Sequence, residues 1–226
     1  MAAEIIDTSK KRAIKGVLMD MVGLVLDTEK LYTRFWAEAA RFYGYPMTRE
    51  QGLGMRSLTR SVGEAKLKSY FGPEIDYDLV RKKRIELMDK FIEENGVEPM
   101  DGIYELLDYL DEKGIPSAIA TSSPVERAMA HLGSCNLAHR FKKIISGYMV
   151  EKGKPAPDIY IYAAHQLGLE PEDCIALEDS PAGLLAGNRA GCMAVMVPDQ
   201  DQPDEETLKL LYAKCDSLRD VISLID

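Results

Sequence analysis

The sequence predicts an α/β fold in which helices cover both faces of a parallel sheet and a helical domain is inserted near the N-terminus. After Pro99, short apolar runs alternate with stretches of helical spacing, which is the pattern of β-α-β units. Residues 27–96, in contrast, have helical spacing and no strand pattern, although strands are predicted on both sides of them. We therefore expect a core domain of residues 1–26 and 97–226 and a helical domain of residues 27–96.

The helical domain follows the first predicted strand. Residues 1–13 are polar and are predicted to be a loose lead-in, whereas the apolar run at 14–19 is predicted to be a strand. A helix is favoured from Thr28 to Tyr43, because a hydroxyl can cap its first turn and apolar side chains recur at helical spacing. The same spacing predicts further helices at 48–53, 59–70 and 77–94.

In the rest of the core, prolines and glycines mark the ends of the helices. Proline is tolerated in the first helical turn, and glycine often follows the last one. With these signals the predicted helices are 101–113, 124–132, 157–167, 181–190 and 217–224. The apolar runs between them predict strands at 116–120, 143–146, 174–177 and 193–197.

The composition argues against several kinds of partner. A net charge of −9 and a pI near 5.0 disfavour nucleic acid and anionic membranes, because both bind to basic surfaces. No apolar run approaches the roughly 20 residues that cross a bilayer, and the first twelve residues lack the hydrophobic region of a secretory signal. We expect a cytoplasmic protein, a monomer or a weak dimer, with no nucleic-acid or membrane partner.

Polar side chains follow the predicted strands at their carboxyl ends, the edge where open α/β sheets bind ligands. Asp20 ends the first strand. Thr121 and Ser122 end the second strand just before a helix, where a hydroxyl and free backbone N–H groups can bind an anion. Lys154 lies on a stiff loop between a glycine and prolines, which can aim its ammonium group as a fixed point charge.

Two adjacent acids, Glu178 and Asp179, end a later strand. Beside Asp20 these carboxylates would repel one another unless a cation lies between them. A hard divalent ion with oxygen ligands removes the conflict, and Mg²⁺ is the ion that we expect.

These groups, in this order, resemble the four motifs of the haloacid dehalogenase superfamily of phosphatases and phosphomutases, in its β-phosphoglucomutase-like branch. The matching segments are Asp20-Met21-Val22-Gly23, Thr121-Ser122, Gly153-Lys154-Pro155 and Glu178-Asp179-Ser180. The resemblance implies a Rossmann-like core, a four-helix-bundle cap formed by residues 27–96, and a small phosphorylated metabolite as substrate.

The resemblance also implies a role for each matching side chain. Asp20 would be the nucleophile that accepts a phosphoryl group. Thr121 and the backbone N–H of Ser122 would hold the phosphoryl oxygens, and Lys154 would balance the charge of the nucleophile and the phosphate. Water would then attack the phosphoaspartate.

Val22 is where the sequence departs from the family pattern. The family has an aspartate there, which acts as general acid and base, whereas valine offers only its main-chain carbonyl. The resemblance implies that Mg²⁺ is held by Asp20, Asp179 and that carbonyl, with Glu178 binding directly or through water. Metal and phosphate binding should therefore survive, and turnover should be strongly reduced. Because one base separates Asp and Val codons, a single mutation of a phosphatase is the simplest account.

The cap bears on the choice of substrate. Arg56 lies on a loop that resembles the one facing the active site, and Lys83 lies near the position of a cap lysine in the mutases. Tyr32 replaces a mutase histidine, which favours hydrolysis of a small sugar phosphate or nucleotide-like monophosphate. With Ser122 and Glu29, these residues are the candidates for substrate binding. A β-phosphoglucomutase-like phosphomutase and a non-catalytic phosphate-ligand binding protein remain as alternatives.

Overall fold

The computed structural model describes residues 3–55, 58, 60–199 and 202–225. The chain divides into two compact units, one formed by Met1–Leu26 with Glu98–Asp226 and the other by Asp27–Val97. The helical unit thus ends at residue 97, against the predicted 96. Among the described residues, no helix combines the length and the apolar character that a membrane span requires.

The larger unit is built on a seven-stranded sheet. Its strands are β1 (Glu4–Ile5), β2 (Gly16–Met19), β3 (Ser117–Thr121), β4 (Lys143–Ser146), β5 (Cys174–Glu178), β6 (Met193–Met196) and β7 (Ala213–Lys214). They lie in the order β1-β7-β6-β5-β2-β3-β4. All neighbouring pairs are parallel except β1 and β7, which are antiparallel.

The edge formed by β1 and β7 corrects two predictions. The lead-in at 1–13 is not loose throughout, because Glu4 and Ile5 pair with Lys214 and Ala213. The sheet is therefore mixed rather than wholly parallel. Each of these strands has two residues, which is too short for an alternating pattern to reveal.

Described helices accompany the sheet along the same unit: α5 (Ile103–Lys113), α6 (Val125–Ser134), α7 (Asp158–Gln166), α8 (Pro181–Ala190), α9 (Glu205–Leu208) and α10 (Ile222–Ile225). The predicted helix at 217–224 was mostly wrong, because only its last turn is helical and turns precede it. Helix α9 was not predicted. It has four residues and is capped by Asp204, whose carboxylate accepts from the N–H of Thr207 at 2.8 Å.

The central strands are buried along their whole length, as parallel strands covered on both faces must be. Their side chains are almost all apolar, so the sheet interior contains little that can react. The polar groups come where the apolar runs stop. Polar side chains therefore lie at the carboxyl ends of β2, β3 and β5.

The second unit is helical in its described residues. Its helices are α1 (Glu29–Phe42), α2 (Arg49–Leu53), α3 (Arg60–Phe71) and α4 (Tyr77–Asn95). An apolar cluster holds them together and includes Trp36, Met47, Leu67, Ile75 and Val80. Helix α2 starts with a complete capping box between Thr48 and Gln51.

Candidate active site

Asp20 is fixed by the backbone around it. Its N–H donates to the Leu177 carbonyl of β5 at 3.0 Å, which extends the pairing of β2 by one residue. The N–H of Val22 donates to Asp20 Oδ2 at 2.8 Å. Beyond it the chain turns sharply at Gly23, which has φ of +80°, where a side chain would be strained. Asp20 is buried, with 8% of the residue exposed.

Lys154 connects three segments of the larger unit. Its ammonium donates to Asp20 Oδ1 at 2.6 Å, to Glu178 Oε1 at 2.5 Å and to the Ala120 carbonyl at 2.9 Å. Burial acts to lower the pKa of this ammonium, but the carboxylates of Asp20 and Glu178 outweigh it and hold the pKa above its ordinary value. Lys154 is therefore a permanent positive charge between two buried acids.

Glu178 is held on both of its oxygens. Tyr160 and Lys154 donate to Oε1, and the Ser180 hydroxyl donates to Oε2 at 3.1 Å. Burial raises the pKa of Glu178, and Lys154 opposes this shift. Gly183 makes room for this carboxyl group, since a Cβ there would lie closer than 3.0 Å to its atoms.

The sequence analysis assigned no role to Ser180, which it quoted only as part of a motif, and it did not name Tyr160. Ser180 could have been found, because it precedes Pro181 and caps α8 by accepting from the N–H of Gly183 at 3.2 Å. No comparable signal in the sequence identifies Tyr160, because it cannot be distinguished from the other large side chains of a buried helix. Burial and the neighbouring Glu178 raise its pKa well above the ordinary value, so its hydroxyl stays protonated and donates.

Thr121 and Ser122 lie at the carboxyl end of β3, as the sequence predicted. Thr121 is buried, and its Oγ1 accepts from the N–H of Ser123 at 3.2 Å. Ser122 is exposed at the turn into α6. The Ser146 hydroxyl donates to the Ser123 carbonyl at 2.7 Å, which ties this turn to the end of β4.

Asp20, Glu178 and Asp179 form an acidic cluster in which one carboxylate oxygen of each residue lies within 4.8 Å of the other two. Three carboxylates facing one ammonium leave an excess of negative charge in a largely buried site. An all-oxygen donor set suits a hard divalent cation such as Mg²⁺. The residues present therefore fit the metal that the sequence implies.

The remaining predicted residues belong to the helical unit. Lys83 donates to Glu86 at 2.8 Å and lies over the Phe42 ring, 4.3 Å from its centroid. In the basic run at 81–84 the buried residue is Arg84, not Lys83. Glu29 is buried in the first turn of α1, and Tyr32 is half-buried one turn later. Arg56 lies outside the described residues.

The fold and the site together define a class of α/β enzyme. In this class a carboxylate, a lysine and an acidic pair lie together at the carboxyl edge of a mostly parallel sheet. The model of the haloacid dehalogenase-like hydrolases matches residues 14–191. The chain therefore belongs to the haloacid dehalogenase-like hydrolase family.

Similar proteins indicate which activity within this family is the relevant one. Hexitol phosphatase A of Escherichia coli (strain K12) is 32% identical over 186 residues, 81% of this chain and 82% of that protein. A protein of Drosophila melanogaster named "Probable pseudouridine-5'-phosphatase" is 33% identical over 205 residues, 87% of each chain. A haloacid dehalogenase hydrolase from Entamoeba histolytica has the same fold, with a TM-score of 0.80, 24% identity, and 94% of this chain and 98% of that one covered. The chain is thus a phosphoric monoester hydrolase by family.

Proposed function

We propose that the protein is a Mg²⁺-dependent phosphatase that acts on a small sugar phosphate or nucleotide-like monophosphate through a phosphoaspartate at Asp20. The observation that carries this proposal is the 2.6 Å contact of Lys154 with Asp20, beside the acidic pair of Glu178 and Asp179. The phosphatase names of the two relatives support the substrate class.

In the proposed reaction, a carboxylate oxygen of Asp20 attacks phosphorus and the bond to the leaving oxygen breaks. The new acyl phosphate is then cleaved when water attacks the same phosphorus, which frees inorganic phosphate and restores the carboxylate. Lys154 supplies a fixed positive charge throughout, because its raised pKa keeps it protonated. Thr121 and Ser122 lie where a strand end meets a helix, a place suited to hold phosphoryl oxygens.

Mg²⁺ would be held by Asp20, Asp179 and the main-chain carbonyl of Val22, and it would supply further positive charge to the phosphoryl oxygens. Glu178 supports this site by positioning its neighbours. With both oxygens engaged by Lys154, Tyr160 and Ser180, it orients the lysine and anchors the start of α8. We therefore assign Glu178 as a positioning residue, which refines its expected role as a ligand.

Val22 cannot transfer a proton, and its neighbours are poor substitutes. Lys154 holds its proton because of its raised pKa, and so does Tyr160, whose hydroxyl is committed to Glu178. The leaving oxygen must then depart without a positioned acid, and water must attack without a positioned base. General acid and base catalysis is worth roughly 10² to 10⁴ in rate, so slow turnover is the expected behaviour of this chain.

The test is phosphate release from a panel of small phosphomonoesters with Mg²⁺, measured for this chain and for Asp20→Asn. We expect slow release from the chain, and none above background from Asp20→Asn, which keeps the size of the side chain and removes the nucleophile. Equal rates for both proteins would overturn the proposal. Product isomers that form only with a bisphosphate primer would identify a phosphomutase, and saturable phosphate binding without turnover would identify a binding protein.

A further inference from the structure

A cavity of about 300 Å³ lies in the larger unit, at the edge of the sheet opposite to the candidate active site. Its lining comes from segments that precede parallel strands: Arg12 comes before β2, Glu172 before β5, Cys192 before β6 and Lys209 before β7. Because these strands run in one direction, the segments lie at their amino ends, whereas the candidate active site lies at the carboxyl ends. The cavity is therefore a separate place in the fold.

The buried part of the lining is apolar, and the exposed part is charged. Cys192 and Met193 are buried at the start of β6, and burial raises the pKa of the Cys192 thiol, which therefore stays uncharged. Arg12, Glu172 and Lys209 are exposed, so a solute can reach the cavity from solvent. At roughly 30 Å³ for each water molecule, the volume corresponds to about ten waters. It is at the small end of the range for ligand sites.

Two opposite charges line the cavity without pairing. Among the residues that the structure describes, Arg12 has no carboxylate oxygen and Glu172 has no cationic nitrogen within the 4.0 Å that defines an ion pair. Lys209, in contrast, donates to Glu206 at 2.5 Å. A single exposed charge is ordinarily solvated and indicates no ligand. Here, however, Arg12 and Glu172 line one small cavity and are too far apart to neutralise each other directly.

The lining next to Glu172 attracts a positive group. The side-chain amide of Asn188 donates to the Leu210 carbonyl at 2.8 Å, which leaves Oδ1 of Asn188 as an acceptor. Asn188 lies in the last turn of α8, and the carboxyl end of a helix carries a partial negative charge. Glu172 lies against the same helix end, because its Oε1 is 3.2 Å from the position that a Cβ of Gly191 would take.

We propose that this cavity binds a small zwitterion, namely a free α-amino acid with an apolar side chain. Its carboxylate accepts from the guanidinium of Arg12, which binds carboxylates through paired N–H donors. Its ammonium group donates to Glu172 and to Oδ1 of Asn188, beside the end of α8. Its side chain packs against Cys192 and Met193. A simple anion or a simple cation would satisfy only one of the two unpaired charges.

Calorimetric titration of the full chain with L-valine and with L-methionine tests this proposal. We expect saturable binding of at least one of them, at one molecule for each chain. The deaminated and the decarboxylated analogues of the same amino acid keep only one of its two charges. Each analogue should bind at least tenfold more weakly than the amino acid.

Two variants locate the binding site. Arg12→Gln and Glu172→Gln each remove one charge, and neither takes a group out of the core because both residues are exposed. Each should bind the amino acid at least tenfold more weakly than the parent. The matched controls are Lys15→Gln and Asp173→Asn. These two residues lie at the same edge of the sheet, pair with each other at 2.9 Å and do not line the cavity, so both controls should bind as the parent does.

Several results would overturn the proposal. It is wrong if neither amino acid binds to the parent, if an analogue with one charge binds as tightly as the amino acid, or if the two cavity variants bind like their controls. A loss in only one of the cavity variants would show that a single charge holds the ligand, which also contradicts a zwitterion site. Asp20→Asn should bind as the parent does, and weaker binding by this variant would place the ligand in the candidate active site instead.

Discussion

Gly183→Ala tests the geometry around Glu178. The new Cβ would lie closer than 3.0 Å to the carboxyl carbon and both carboxyl oxygens of Glu178. Because the interior is close-packed, the carboxyl group would have to move by more than about 1 Å. That shift breaks the bond from Ser180 and one of the bonds from Tyr160 and Lys154. At about 1.5–3 kcal/mol for each hydrogen bond to a charged group, the loss is about 3–6 kcal/mol.

For a chain of this length, that loss lowers the melting temperature by about 6–24 °C. Calorimetry of Gly183→Ala measures it, and Mg²⁺ titration of the variant should show weaker binding. The matched control is Gly133→Ala in α6, where a Cβ meets nothing within 4 Å. We expect this control to be unchanged or stabilised by up to about 1 kcal/mol. The reasoning fails if both variants melt together and bind Mg²⁺ alike.

Two substitutions and one labelling experiment test the buried groups of the larger unit. Lys154→Met leaves Asp20 and Glu178 without their shared cation, so urea unfolding should show a loss of about 3–5 kcal/mol; an unchanged midpoint would contradict the charge assignment. Tyr160→Phe removes one donor to Glu178 and should lower the free energy of unfolding by about 1.5–3 kcal/mol, measured by thermal unfolding. A melting curve like that of the parent would show that this hydrogen bond does not stabilise the fold. Burial raises the pKa of Cys174 and Cys215 to about 12, so at pH 8 both stay as unreactive thiols, and their thiolate fraction grows only as the pH rises. Mass spectrometry after iodoacetamide should find label on the half-buried Cys135 first, and equal labelling of all four cysteines in the native protein would refute this.

The sequence predicted the core elements where an apolar run is long and its ends carry clear signals. Strand β4 and helix α8 have the predicted bounds, and Asp20, Lys154 and Glu178 meet because parallel strands end at one edge. The two-residue strands β1 and β7 could not be predicted, since pairing between distant segments makes them. The predicted helix at 217–224 was mostly wrong because the turns before Ile222 have polar residues at a spacing that also occurs in helices.

Side-chain direction was the harder problem. The sequence analysis named Lys83 on α4, whereas the structure buries the next residue, Arg84, and leaves Lys83 half-buried, and the substrate role of Lys83 stays a prediction. Each step along a helix turns the side chain by roughly 100°, so neighbouring residues face different environments. Tyr77, Val80, Arg84 and Met88 lie at helical spacing and are all buried, and this stripe was the signal that could have identified Arg84. The roles of the residues around Asp20 stay predictions.

The most direct test of the account is phosphate release by Val22→Asp beside the parent chain and Val22→Asn, with Mg²⁺ and a small phosphomonoester. The variants have nearly the same shape, but only the carboxyl group of Val22→Asp can transfer a proton. We expect Val22→Asp to be faster than the parent by roughly 10² to 10⁴, which is about 3–5 kcal/mol in the barrier, and Val22→Asn to stay slow. If Val22→Asp is no faster than the parent on any substrate, the chain is not a phosphatase limited by the missing acid and base.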